Sequence, residues 1–585
     1  MTAPSDRADR SDLLKFCTSV QATSMMRHLE EFSRRVKLSG SPEELESFGY
    51  LRRQLEGYGL STNLVRHDAY ISLPGRARIS IGDWAPKCIT HSFSRASGPR
   101  GVAGELIYAG SGGPDDFART DARGKIVLLE GIANPAASLR ASQAGAIGQI
   151  HISPAKHLYE MCISPIWGSP NPEQLDLLPK TVVVSVRNGD GEALKGRLSN
   201  GEAISAVLTA EVDTGWRKTP MLEANLQAGR PLDDSFVLFS GHHDTWYYGV
   251  MDNGSANAAM LEAARIFALN RKSLRRHLRL CFWSGHSHGR YSGSSWYADV
   301  KFKELSARCI AHVNIDSIGA RGNTVLSDAL SSNELQALAA EAVRAQGGQE
   351  IDGHRMSRAG DQSFWGIGIP SIFMAMGEQP AGKSESVMGP AIGGGGARKG
   401  AGFGWWWHTP DDTLDKIDPE LLVRDTSIYV HAIGRLLTDE ILPLDIERQV
   451  NALRRELTSL GEALEGRIDI KSVVQSAGIL GDAVKRFQER VKLASGDDAT
   501  SINRALIGVT RALVPIDYTR GSRFDPDPAL RQNPYPVLDP LRSVASANVG
   551  SDQFFFASVA ARRAANRVAL AIDEALAALD ASYKE

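Results

Sequence analysis

The stretch 236–255, FVLFSGHHDTWYYGVMDNGS, decides how the chain is read. Phe236–Phe239 is a short apolar run of the kind that forms a fully buried strand, and Ser240-Gly241 closes it. The strand end therefore delivers His242, His243 and Asp244. Ten residues after His242 comes Asp252, followed by Asn253, Gly254 and Ser255 at the start of an apolar helix over 255–269. In an open α/β sheet, ligands gather beyond the C-terminal ends of the strands, so both segments fall where a site forms. The helix N-terminus also suits the charge of Asp252.

The same grammar repeats outward. A strand over 278–283 runs into Gly285, His286, Ser287 and His288, a strand over 312–315 runs into Asp316, and Ile372–Met376 reads as a further strand. Helices over 333–346 and 418–437 alternate with them, which is the signature of an α/β sheet with mostly parallel strands. A later loop presents Trp405, Trp406, Trp407 and His408, then Thr409, Pro410, Asp411 and Asp412. A lone His-x-Asp is commonly a hydrogen-bonded surface histidine. Imidazoles and carboxylates converging from successive strand ends are instead how a divalent-metal site is built.

Upstream, residues 24–58 read as two amphipathic helices split by Ser39-Gly40-Ser41-Pro42, and 70–215 as short β-rich runs around a small-residue helix, Ala136–Ala146. That text predicts a compact inserted domain. After Pro443, helical periodicity over 446–464, 471–493 and 551–580 predicts a helical bundle. The length of 585 residues exceeds one core. Hydrophobic residues at 42%, charged residues at 23% and a mean hydropathy of -0.21 place the chain in the ordinary soluble globular class. With 66 Lys and Arg against 68 Asp and Glu, nothing in the global charge calls for nucleic acid or an anionic membrane as partner. The five cysteines are odd in number and scattered, with no CxxC pair, and read as reduced thiols. Neither an apolar leader core nor a window of about 18 apolar residues occurs, so a reducing cytoplasm is the expected compartment.

The ordered set Ser39-Gly40-Ser41-Pro42-Glu43, Gly241-His242-His243-Asp244 with Asp252, Gly289–Trp296, Asn314-Ile315-Asp316-Ser317 and His408–Thr413 resembles one family. That family is the M28-type zinc aminopeptidases and carboxypeptidases, in the branch of glutamate carboxypeptidase II and the transferrin receptor. Arg123–Val127 and Ala144–Gly148 resemble the protease-associated domain inserted in that branch. The resemblance implies a mixed, mostly parallel α/β sheet of the zinc aminopeptidase type, a β-rich protease-associated insert and a C-terminal helical domain. The expected boundaries are 1–69, 70–215, 216–440 and 441–585, with the last segment forming a homodimer.

Carried over position by position, the resemblance makes His242, Asp252, Asp316 and His408 metal ligands, with Asp252 bridging. Asp244 would hold the His242 tautomer. The chain then departs from the pattern: the two consecutive glutamates of active members, one a general base and one a ligand, fall on His286 and Ser287. Two carboxylates neutralise one divalent ion and leave a second uncompensated, so one divalent transition metal, zinc, is expected. The alternatives are an imidazole-rich second site using His286 or His288, or no metal at all. An imidazole, with its pKa of about 6.5, is a competent general base, which assigns that role to His286 with His288 as the next candidate.

The expected activity is cleavage of an amide-type bond in a small substrate. The rivals are a different metal-assisted reaction, such as cyclisation or C–N cleavage, and a non-catalytic receptor-like protein. Trp405, Trp406 and Trp407 predict an aromatic or apolar substrate group. Tyr518, Arg520, Arg523 and Arg531 lie where the family's C-terminal domain reaches the cleft, and this stretch reads either as a solvated basic loop or as a carboxylate-binding element, with Arg520 and Arg523 its first candidates. With no arginine near the ligand set in sequence except Arg290, acidic substrates are expected to be poor. The glycine-rich stretch 393–400 reads as a lid or a plain loop.

Overall fold

The computed structural model describes residues 4–326, 329–351, 355–382, 400–494 and 498–583. All but the last residue of the glycine-rich stretch 393–400 lies outside them. The expected α/β architecture is present. Strands Cys309–Asn314, Phe236–His242 and His277–Trp283 run parallel and side by side, with Phe236–His242 in the centre. Their apolar runs are buried on both faces, as a parallel sheet covered by helices requires. Because the three run in one direction, their C-terminal ends share one edge of the sheet.

The edge strand is shorter than expected, Ser371–Ile372 instead of 372–376, because Phe373 turns to a left-handed φ of 64° and leaves the sheet. The expected helix over 333–346 divides into a 3-10 turn, the α-helix Gln336–Ala342 and a π-turn, Val343–Gly347. On the other side of the sheet, Ser205–Leu226 pairs antiparallel with His277–Trp283 near its C-terminal end and with Val102–Tyr108 near its start. Together with Ser61–Ser80 it forms a long antiparallel ribbon. The ribbon carries a second group of parallel strands, Val102–Tyr108, Ile126–Glu130, Gly148–Ile152 and Val182–Val186. That group has its own core of Ile126, Leu128, Ile150, Val182, Val184 and Leu208.

Helix Pro419–Thr438 starts at Asp418, whose carboxylate accepts from the backbone N–H of Glu420 and Leu421. It packs between the sheet and helix Pro4–Thr18. Helices Ile446–Ala463, Lys471–Leu493, Ala499–Tyr518 and Asp552–Ala581 form the C-terminal bundle, which shares one continuous core with the central sheet. From this bundle the segment around Ala529 returns to the sheet edge, where Ala529 N–H donates to Pro165 O at 2.7 Å. Among the described residues no helix is long and apolar enough to cross a membrane.

Candidate metal centre and substrate cavity

Three adjacent strand ends bring His242, His286 and Asp316 together, and the loops after them add Asp252 and His408. The His242 Nδ1–H donates to the backbone carbonyl of Asp244 at 2.9 Å, which leaves Nε2 with a lone pair. This Nε2 is buried and has no hydrogen-bond partner, yet Asp252 Oδ1 stands 3.1 Å away and Asp316 Oδ2 3.5 Å away. The His286 ring stacks on His242 with centroids 3.8 Å apart and planes 10° apart. One ligand atom each from His242, His286 and Asp316 fits within 4.8 Å of the others. At bond lengths of about 2.0–2.2 Å, neighbouring ligand atoms of a tetrahedral ion lie about 3.3–3.6 Å apart. Of the separations around His242 Nε2, the 3.5 Å to Asp316 falls in that range and the 3.1 Å to Asp252 just below it.

Asp252 turns its other oxygen, Oδ2, to His408 Nε2 at 3.0 Å, and His408 Nδ1–H donates to Glu160 O at 2.6 Å. Asp412 fixes the Asp252 backbone by accepting from the N–H of Met251 and Asp252 at 2.8 and 3.0 Å. Electrostatics point to a positive occupant. Burial opposes charge on His242, but Asp316, Asp244 and Asp252 outweigh it and hold the imidazole well above its ordinary range. Burial likewise pushes Asp252 up, and His242 and His408 overcome that and hold it low.

Several expected site residues stand elsewhere or act differently. The direct hydrogen bond to the His242 ring comes from the Asp244 backbone carbonyl, while the Asp244 carboxylate stands behind it with Oδ1 3.7 Å from the same Nδ1. The Asp244 carboxylate accepts from Ser39 Oγ at 2.7 Å and from the N–H of His286 and Ser287 at 3.3 and 2.9 Å, so it pins the turn that carries them. His288 is fully buried behind Asp244, with Nδ1 3.0 Å from Ser39 Oγ, and does not line the cavity.

A cavity of about 300 Å³ opens over Asp252, Asp316, His286, Ser287 and His408. Of the three tryptophans only Trp407 lines it, stacked on His408 at 3.4 Å between centroids. Consecutive side chains on one tight turn diverge, so the other two point away. Trp405 stacks on His157 under Lys416, and Trp406 is buried in the core. Arg520 and Arg523 are also outside the cavity: the Arg520 N–H donates to Asp527 Oδ2, and the Arg523 guanidinium to the carbonyls of Gly366 and Arg511. Tyr518 is core, stacked on Trp365.

The arginines that do line the cavity are Arg290, Arg358 and Arg531, which removes the ground for expecting acidic substrates to be poor. Arg290 donates to Ala529 O at 3.3 Å and its buried Nε has no partner. Arg358 lies over the Trp167 ring at 4.4 Å and donates to Pro528 O, Asp527 O and Gln532 Oε1. Burial pushes its guanidinium down to about 10. Sequence reasoning missed Arg358, and also Asp361, whose Oδ2 lies 2.8 Å from His286 Nδ1. The available signal was the run Ser357–Asp361, polar text directly ahead of the apolar Phe364-Trp365.

With this geometry in place, residues 223–433 match Peptidase family M28. The chain carries an M28 peptidase domain. It is 22% identical over 568 residues to the probable glutamate carboxypeptidase AMP1 of Arabidopsis thaliana, spanning 82% of this chain and 77% of that one. The zinc aminopeptidase BSAP from Bacillus subtilis superposes with a TM-score of 0.53 at 20% identity, over 72% of this chain and 96% of that one. The Peptidase M28 precursor from Shewanella amazonensis SB2B does so with a TM-score of 0.59 at 15% identity, over 75% and 98%. These likenesses show the fold of the M28 zinc aminopeptidases. The zinc of such neighbours agrees in kind with the imidazole and carboxylate donors found here.

Proposed function

We propose that the protein is a metal-dependent hydrolase that cleaves an amide-type bond in a small substrate bearing an aromatic or apolar group and a carboxylate. The observation that carries the reading is the buried His242 Nε2, unpartnered and set between two carboxylate oxygens. His242, Asp252 and Asp316 would hold one divalent ion, zinc in the first instance, because two carboxylates neutralise it. The position on the far side of Asp252 has His408 but Ser287 where a further carboxylate would be needed. A bound ion would polarise the substrate carbonyl and acidify water.

The protein's own side chains supply the rest. His286 has Nδ1 engaged by Asp361, and its other ring nitrogen can take a proton from the attacking water and return it to the departing nitrogen. Arg358 and Arg290 lack carboxylate partners among the described residues and would receive the substrate carboxylate, a stronger bond than any to a neutral group. Trp407, Trp246 and Phe403 offer the apolar wall, and the cavity volume suits a small molecule. The probable carboxypeptidase activity in the name of the Arabidopsis relative agrees with an acidic or carboxylate-terminated substrate. The parallel strands with their own core, Val102–Val186, support assigning 70–215 to a protease-associated insert, with 216–440 as the metal-binding domain.

The test is metal content together with a panel of N-acyl amino acids, dipeptides and aryl amides, each assayed with and without its free carboxylate. Turnover with zinc bound, fastest for carboxylate-bearing members, is expected. Protein that binds no divalent metal and turns over no member of the panel would sink the reading.

A further inference from the structure

His286 stands where it meets both the cavity and a buried carboxylate. We propose that Asp361 is the positioning residue for His286: it fixes which imidazole nitrogen carries the proton and so aims the other, as an acceptor, into the cavity. This rests on the reading of His286 as the proton acceptor in amide cleavage.

Asp361 is 1% exposed, and its Oδ2 lies 2.8 Å from His286 Nδ1. A carboxylate only accepts, so Nδ1 must carry the hydrogen and Nε2 the lone pair. The ring plane is fixed as well, by stacking on His242 and by an edge contact with Tyr291 at 5.0 Å between centroids. The second oxygen, Oδ1, accepts from Ser294 Oγ at 2.8 Å. Ser294 Oγ is 2.9 Å from Ser363 Oγ, and Ser363 Oγ accepts the Trp167 indole N–H at 2.9 Å. Trp167 itself lines the cavity. The carboxylate is therefore held from both sides, by His286 and by a chain of hydroxyls ending in the cavity wall.

Burying a carboxylate is costly without a cation or a full set of donors. Among the described residues Asp361 makes no ion pair with an arginine or lysine, and its ring partner is His286 alone. A structural carboxylate needs no imidazole that opens onto a cavity. An imidazole that must present one defined nitrogen to a reacting proton needs this carboxylate. Loss of the carboxylate behind such a base costs up to about 10⁴-fold in the serine proteases, where the wrong tautomer results.

The test uses the full chain and two readouts. Asp361→Asn preserves shape and the Ser294 contact but removes the obligate acceptor. It should lower kcat on the best amide of the panel at least thirtyfold with KM within threefold. In metal-free protein, acylation of His286 by diethyl pyrocarbonate, followed by peptide mass, should slow at least fivefold. Ser294→Ala loosens the same carboxylate with a smaller volume change and should lower both by at least threefold, which covers a failure of the Asn variant to fold. A folded Asp361→Asn protein with kcat and His286 labelling within twofold of wild type overturns the proposal, as does an unchanged Ser294→Ala protein. Should the wild type cleave no amide, the functional reading fails, and the labelling rates still decide the role of Asp361.

Discussion

The buried Nε2 of His242 stands 3.1 Å from Oδ1 of Asp252, a separation at which neutral imidazole and carboxylate have no proton to share. Two lone-pair atoms held at that distance repel unless a cation lies against both. With Nδ1–H committed to the Asp244 carbonyl, the occupant is an added proton or a metal ion. Zinc at neutral pH is expected to win, at about one equivalent per chain. Asp316→Ala should lose it, whereas His408→Ala should retain about one equivalent, because His408 touches only the far oxygen of Asp252. Elemental analysis after dialysis checks both. Two equivalents in the wild type, or loss of the ion on changing His408, would refute a single-ion centre.

Arg358 gives the second prediction. Its hydrogen bonds go to two carbonyls and one amide oxygen, so the guanidinium keeps capacity for a carboxylate. Hydrogen bonds to charged groups contribute about 1.5–3 kcal/mol, or roughly 10- to 150-fold in affinity. Arg358→Met should raise KM for a carboxylate-bearing amide by that range and leave its uncharged amide analogue within threefold. Equal effects on the two substrates would remove Arg358 from recognition and leave it a structural cation over Trp167.

The tryptophans separate in the same assay. Trp407 faces the cavity, and one stacked ring adds about 0.5–1.5 kcal/mol beyond burial, so Trp407→Ala should cut the preference for aryl over alkyl substrates two- to tenfold. Trp406→Ala should instead lower thermal stability, by about 3–5 kcal/mol for a buried large side chain, without moving the ratio. A shifted ratio from Trp406→Ala and none from Trp407→Ala would reverse the assignment.

What the sequence discloses and what it hides follow from how each residue is held. Phe236–His242 and His277–Trp283 are legible because strands buried on both faces must be continuous apolar runs, and their ends carry His242 and lead to His286. The ribbon of Ser61–Ser80 with Ser205–Leu226 is hidden, since half-exposed strands mix polar and apolar residues and mimic loop text. Helix Ala499–Tyr518 carries Pro515 near its end, which blurs its boundary. Asp361 and Arg358 sit on irregular backbone where no periodicity marks them, and their partners are fixed only by tertiary packing. Arg520 and Arg523 stand out in sequence as a basic cluster, but Gly366 and Arg511 carbonyls occupy Arg523 outside the cleft.

The second group of parallel strands should weaken in acid. His91 donates to Ser185 Oγ at 2.8 Å and His151 to Gln149 Oε1 at 3.1 Å, both fully buried, and burial pushes them down to about 3 and about 4. Unfolded histidine titrates at about 6.5, so both are neutral in either state above that pH and contribute no slope there. Below it the unfolded chain takes up protons that the fold refuses. Stability is therefore lost as pH falls from about 6.5 towards about 4, by at most about 1.4 kcal/mol per pH unit for each histidine. Hydrogen-exchange protection factors for Gly148–Ile152 and Val182–Val186 should drop between pH 7 and pH 5, and His91→Gln should reduce that drop. Equal protection at the two pH values would count against the argument.

Helix Asp552–Ala581 carries the last prediction, because it has apolar residues on two faces. One face, with Phe554, Ala561, Val568 and Ile572, is buried in the bundle. The other exposes Phe555 at 58%, Phe556 at 75%, Val559 at 47% and Leu570 at 60%. Single exposed apolar residues are ordinary, but adjacent phenylalanines with a valine one turn further form a patch. We propose that this face is covered by a second copy in a twofold-symmetric homodimer, where each residue is buried twice. Fully burying one phenylalanine contributes about 1.5–3 kcal/mol, so the pair from both copies supplies enough to offset much of the association entropy. Light scattering at micromolar concentration should report a dimer, and Phe556→Glu should shift it to monomer with the fold intact by circular dichroism. A monomeric wild type would leave the patch without this partner, and a dimer unmoved by Phe556→Glu would place the interface on another surface.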